Sequence, residues 1–180
     1  MKKVIVALLL AVGGCGDVGE KSRIESLGDQ LGGLVSDGRV EDFEKDFAGA
    51  GYLKSYSADS VEADVHIFRG RLRDLRDGIE YDQFQNTISY LEKYLEQYYG
   101  AGAQKKKESV EEYRGVRFRS FHYAGGHSNT KMFVTVWGGA YLQVMVDWPA
   151  GNRESEREIE NFMNALVENL KRGGGAAARP

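Results

Sequence analysis

Apolar residues recur along the chain with two different periods, and the changes of period mark the element boundaries. Ile24, Leu27, Leu31, Leu34 and Val35 follow helical steps and predict an amphipathic helix over 21–36. Gly28, Gly32 and Gly33 weaken it, each by up to about 1 kcal/mol relative to alanine, so its stripe needs a partner to dock on. Val40, Phe43 and Phe47 continue helical spacing through 39–48 until Gly49-Ala50-Gly51 breaks it. Residues 52–57 suit a short strand. Over 60–69 the period drops to two, with Val61, Ala63, Val65 and Ile67 on one face and Glu62, Asp64 and His66 on the other. That alternation predicts a half-buried strand, and the mixed charges of 69–78 predict a solvated connection.

The strongest helical stripe is Tyr81, Phe84, Ile88, Leu91, Leu95 and Tyr98, predicting a helix over 81–99 with Asp82 and Gln85 as its cap and Gly100 as its stop. Tyr90, Tyr94 and Tyr99 lie beside that stripe and suit the margin of a core. The stretch 100–109, with Lys105-Lys106-Lys107, reads as a solvated loop. Three strands follow, at 115–123, 130–137 and 140–148, the last two joined by the hairpin signal Gly138-Gly139. Ile159, Phe162, Met163, Leu166, Val167 and Leu170 stripe a closing helix, with Ser155 and Glu158 as a capping box, and 173–180 reads as a disordered tail.

Strand runs followed by one-striped helices predict an α+β domain: an antiparallel sheet, built on a three-strand meander plus at least one further strand, covered by amphipathic helices. The expected division is a leader at 1–14, a tether and helix at 15–38, one domain at 39–172 and the tail. From 52 to 172 the order of elements resembles the PsbP/Mog1/DcrB-type domain, through the strand ending Phe68-Arg69-Gly70, the helix at 81–99 and Glu112-Tyr113-Arg114-Gly115 entering a strand. The hairpin with Asp147-Trp148-Pro149 and the last helix complete it. The resemblance implies binding and assembly accessory roles. It departs at the front, where helices stand in place of two opening strands.

The first residues change the picture most. Met1-Lys2-Lys3 is a basic start, and the nine apolar residues Val4–Val12 fall short of the roughly 20 that span a bilayer. Val12-Gly13-Gly14-Cys15 resembles the lipobox of bacterial lipoproteins. That resemblance implies cleavage before Cys15 and diacylation of its thiol. Two or three chains on one residue make a stable anchor where a single chain binds marginally. In enterobacterial lipoproteins an aspartate after the cysteine favours the inner membrane; Gly16 stands here, which leans toward the periplasmic face of the outer membrane.

Removal of residues 1–14 leaves 166 residues and takes the net charge from −3 to −5. A mildly acidic, exported chain is not built to hold nucleic acid. Cys15 is the only cysteine, so once acylated it leaves no thiol for a disulfide, a nucleophile or a metal. No cofactor motif and no catalytic signature is present: there is no G-x-S-x-G elbow, no phosphate-binding loop and no strand-anchored G-x-G-x-x-G. Among the carboxylates Glu108, Glu111, Glu112 and Asp147, nothing singles out a pair for glycoside hydrolysis. His122 and His127 flank a glycine turn and, with His66, Asp64 or Glu62, are the candidates for a metal. Trp137 and Trp148 read as core.

The leading expectation is a non-enzymatic, lipid-anchored envelope module that binds or supports a protein partner. The alternative is binding of a small molecule or metal at the His122/His127 loop. A cryptic hydrolase is third.

Overall fold

In a computed structural model, described residues are 18–174 except 71, 73, 100–103, 126 and 153, with the backbone alone described at 18, 90, 93–99 and 104–106. The leader, Cys15, the expected helix stop Gly100, the side chains of the stripe residues Leu95 and Tyr98 and of Tyr90, Tyr94 and Tyr99, those of Lys105 and Lys106, and the tail from 175 lie outside that description. The elements are α1 (Val18–Glu25), β1 (Gln30–Leu31), β2 (Leu34–Val35), β3 (Val40–Asp42), β4 (Tyr52–Ser57), β5 (Glu62–Phe68), α2 (Asp82–Tyr99), β6 (Gln104–Tyr113), β7 (Val116–Ala124), β8 (Ser128–Trp137), β9 (Ala140–Pro149) and α3 (Glu154–Gly174). The nine strands form one antiparallel sheet in the order β1-β2-β4-β5-β9-β8-β7-β6, with β3 also on β4. This sheet is larger than the expected meander.

Turn chemistry sets the register of its centre. Gly138 and Gly139 both have positive φ, 60° and 71°, which a two-residue hairpin turn requires, and Trp137 pairs with Ala140. Side chains then divide by face. Val61, Ala63, Val65, Ile67, Phe133, Leu142, Val144 and Val146 share one core cluster with Ile24 and Leu27 near α1 and with Ile159, Phe162, Met163 and Leu166 of α3. Phe121, Tyr123, Met132, Val134, Val136 and Tyr141 share the other with Phe84, Ile88 and Leu91 of α2. The stripes at 84–91 and 159–170 therefore point inward as their spacing requires.

The front of the chain departs from the helices its spacing predicts. α1 ends at Glu25, and residues 30–35 form a hairpin, Leu31 facing Leu34, across Gly32 and Gly33 with φ of 57° and 100°. Leu31 and Leu34 are buried as the helical stripe requires, because a tight hairpin also aims a facing pair the same way; Val35 is 54 % exposed. A Cβ at Gly32 would lie 2.4 Å from the Asn161 and Phe162 backbone, so only glycine lets the hairpin pass under α3. Lys54 Nζ donates to the Leu27 carbonyl (2.7 Å) and Asp29 Oδ1 (2.8 Å), fastening the same segment to β4. Ile24, Leu27, Leu31 and Leu34 thus belong to the core of the domain, and the segment that carries them is docked on the sheet.

Residues 39–48 are also not a helix. β3 pairs with β4, and the Glu44 carboxylate accepts the Gly49 and Gly51 amides at 2.8 and 2.6 Å, giving that backbone a closed turn. The Lys105–Lys107 segment belongs to β6, a terminal strand whose charges discourage further edge pairing. In the 69–78 connection Leu75 is buried. His66 and Phe68, on the nominally polar face of β5, are buried too. Neither cap forms as expected. Asp82 is the first helical residue, Asn152 Oδ1 accepts the Glu154 amide at 3.0 Å, and Ser155 Oγ is buried without a hydrogen bond. Gly173 and Gly174 continue α3.

Candidate functional site

The sheet register separates the histidines. His66 pairs with Gln143 on β9, whereas His122 pairs with Lys131, which pairs with Val146. Gln143 and Val146 are an odd number of residues apart, so His66 and His122 stand on opposite faces. His66 is enclosed, stacked on Phe68 at 4.7 Å and met edge-on by Phe43 at 5.9 Å. Its Nε2 lies 2.6 Å from the Ala50 carbonyl. Burial pushes its pKa down to about 4 against the opposing pull of that carbonyl, so the ring is neutral and donates Nε2–H. His122 stacks on Trp148 at 5.4 Å with Nε2 3.3 Å from Asn129 Oδ1, and His127 is exposed in the turn. The chain does fold back over that turn, Ala124 pairing with Asn129, and it leaves His127 exposed and His122 stacked on Trp148. Among the described residues no group of three or more histidine, cysteine, aspartate or glutamate side chains is placed to hold a metal ion.

The face carrying His122 holds a cleft of about 570 Å³ between β6, β7, β8 and the first turns of α3. Its wall includes Lys107, Glu111, Tyr113, His122, Lys131 and Trp148, with Glu156, Ile159, Glu160 and Asn164 from α3. Alternation along β6 places Ser109, Glu111 and Tyr113 on one face, and cross-strand register brings Ser120 and then Lys131 beside them.

Glu111 is the centre of this wall. Its Oε1 accepts from Ser120 Oγ (2.7 Å) and Ser109 Oγ (3.0 Å), and its Oε2 from the Tyr113 hydroxyl (2.8 Å). Lys131 Nζ reaches both oxygens, at 2.8 and 2.9 Å. Burial alone would raise the pKa of this carboxyl. The bonds from Lys131, Ser120 and Tyr113, with the Lys131 charge, outweigh burial and hold it at about 2. Burial and the Glu111 carboxylate together push the Tyr113 phenol up, so it stays a donor.

The other carboxylates singled out in the sequence are dispersed. Glu108 pairs with Arg119, and Glu112 sits at the cleft margin. Asp147 pairs with Glu62 across β9 and β5, on the face of His66, and accepts a hydrogen bond from Thr130 Oγ1. Burial raises its pKa, Thr130 opposes that, and the charges of Asp64 and Glu62 add to it. Glu111 and Asp147 therefore do not face each other. Trp148 is buried under His122, and Trp137 is half-buried against the α3-side core.

Ser120 and Lys131 carry no motif of their own in the sequence. The signal that finds them is strand register, which depends on where β6 begins. Compared with protein-family models the chain matches none, and no curated protein is significantly similar to it.

Proposed function

We propose that this chain is a lipid-anchored envelope protein, held by acylated Cys15, whose domain is a non-enzymatic module that binds a protein partner through the Glu111 cleft. The sheet, with α1 and α3 packed on one face and α2 on the other, would be a helix-covered layer of the PsbP type. The observation that carries the reading is the state of Glu111. A carboxylate saturated by four donors, with a pKa near 2, is a poor base at neutral pH and has no proton to give as an acid. Around it the wall offers charge and aromatic surface, from Lys107, Glu156, Glu160, His122 and Trp148, as a protein partner would use. The anchor reading rests on the lipobox resemblance of Val12-Gly13-Gly14-Cys15.

A volume near 570 Å³ also falls in the 300–1,000 Å³ range of small-molecule sites, which supports a small polar ligand as the second reading.

Fractionation tests the anchor: wild type is expected in the membrane fraction after a carbonate wash, and Cys15→Ala in the soluble fraction. Cross-linking tests the module, with Lys107→Glu and Glu160→Lys as charge reversals on the exposed cleft rim. They are expected to lose the stoichiometric envelope partner while leaving the melting temperature unchanged. A partner retained by both reversals, with a metabolite raising the melting temperature of wild type only, would favour the small-molecule reading.

A further inference from the structure

The chain leaves little slack between its proposed anchor and its folded body. Only Gly16 and Asp17 lie between Cys15 and Val18, the first residue of α1. Three peptide steps span at most about 11 Å, whatever their conformation. α1 is itself fastened. Glu20 is 1 % exposed and ion-paired to Arg69 at 2.6 Å, Ile24 is fully buried, and Arg23 Nη1 donates to the Trp137 carbonyl at 3.3 Å. Past Glu25 the chain reaches Leu27, held by Lys54, and Gly28, whose carbonyl accepts from Tyr56. α1 therefore starts at the end of the sheet where β5 finishes, β4 begins and β8 turns into β9.

Two further segments stand at that end. The turn 43–51 does, because the Gly70 amide donates to the Gly49 carbonyl at 2.9 Å. The connection leading to α2 does too, because Gly78 bridges Val136 and Asp77 accepts the Gly139 amide at 3.0 Å. These segments carry two of the four large apolar side chains that are exposed among the described residues: Phe47 at 50 % and Tyr81 at 40 %. The Arg76 guanidinium lies 5.5 Å from the Tyr81 ring centre, and Lys45 is two residues from Phe47. An exposed aromatic ring with a cation beside it, as at Tyr81, suits the headgroup level of a bilayer, where the ring is shielded and the cation meets phosphate. The Glu111 cleft runs along the outer strands from one end to the other: Glu111 and Tyr113 pair with Phe118 and Val116, toward the end where β8 turns into β9. His122 and Trp148 lie near the far ends of β7 and β9, and the α3 residues of its wall come from that helix's first turns.

Resting on the lipid-anchor reading, we infer that the end of the domain bearing Phe47 and Tyr81 is a membrane-contact surface. It seats on the bilayer beside the acylated cysteine, and the β7–β8 turn and the end of β9 are held away from the lipid. The short link makes this an oriented attachment: a domain on a long tether would sample every orientation, and this one has a single end within reach.

The test uses the absence of any other thiol. In the acylated protein, Phe47→Cys or Ala48→Cys puts one labelling site on the proposed contact surface, and Ala150→Cys puts one at the opposite end. Each is labelled with an environment-sensitive fluorophore and the lipidated chain is reconstituted in vesicles of phosphatidylethanolamine and phosphatidylglycerol. The labels at 47 and 48 are expected to brighten several-fold and shift to the blue, and the label at 150 to keep the spectrum it has in water. Water-like spectra at both 47 and 48 on membrane-bound protein would overturn the contact surface and leave the anchor standing. A several-fold response at 150 would reverse the orientation and overturn it as well. Wild type that fails to reach the membrane fraction overturns the anchor and the contact surface together.

Discussion

Two ionisable side chains are sunk into opposite faces of one sheet, and the protein keeps them in opposite states. Glu111 is charged; His66 is neutral. The difference lies in what surrounds each. Glu111 has three hydroxyls and an ammonium directed at its two oxygens, so the cost of removing charge from water is offset by charge-assisted hydrogen bonds. His66 has two aromatic rings and one carbonyl, which stabilise an N–H donor and nothing more, so its proton is given up. Burial by itself dictates neither outcome. The partners do.

Removing the counter-charge should break the contrast most. Lys131→Met leaves Glu111 half-buried with hydroxyl donors alone, and is expected to cost about 3 kcal/mol in urea unfolding at pH 7. Carboxyl titration by NMR should show Glu111 rising well above 2. If the pKa stays near 2, the lysine is not what holds the charge.

Acid should next act on His66. Its folded pKa of about 4 lies below the unfolded value of 6.5, so the unfolded chain takes up the proton first and stability falls as pH drops from 6.5 to 4. The expected loss is about 3 kcal/mol, at 1.36 kcal/mol per unit. In His66→Gln the slope over that window should flatten; an unchanged slope would assign it to other groups.

Glu111 has its own window, lower on the pH scale. Its folded pKa of about 2 is below the unfolded 4.5, so its contribution is complete above 4.5 and disappears as pH falls to 2. Allowing for solvent at a partly exposed site, about 2 kcal/mol is expected there. Glu111→Gln should remove that slope and leave the His66 window intact, which separates the two faces in one denaturation series.

A smaller effect probes the His66 face away from any charge. Thr87 and Tyr141 hydroxyls are 2.8 Å apart in the α2-side core. Thr87→Val is expected to cost about 1 kcal/mol, the usual worth of such a bond. The smallest belongs to the contact behind His122. Asn129→Ala removes one partly exposed contact to His122 and should change stability by no more than about 0.5 kcal/mol. A large loss there would mean that the His122–Trp148 stack is held by Asn129 and not by packing.

The β8–β9 hairpin, β5, α2 and α3 were legible because each buries an apolar face against one partner layer, which writes a clean period into the residues. The front of the chain was not. Leu31 and Leu34 satisfy a helical stripe and a hairpin pair equally well, and the choice fell to Gly32, where only a bare backbone clears α3. β6 is absent from the sequence reading over its whole length, 104–113, with 100–109 reading as a loop, because a terminal strand carries charge where a central one carries valine. With it went the cleft, since Ser109, Glu111 and Tyr113 become one face only when that strand is paired.

The amino-acid order alone settles the elements with a strong period, the positive-φ turn at Gly138-Gly139 and the single cysteine, because these depend on local geometry and on composition. The tertiary structure alone settles that His66 and His122 look away from each other, that Glu111 meets Lys131, and that α1 is docked from Glu20 onward. Each of these depends on register between strands or on a contact between residues far apart in the chain. A slip of one position in β5, β6, β7 or β8 would send that strand's side chains to the opposite face.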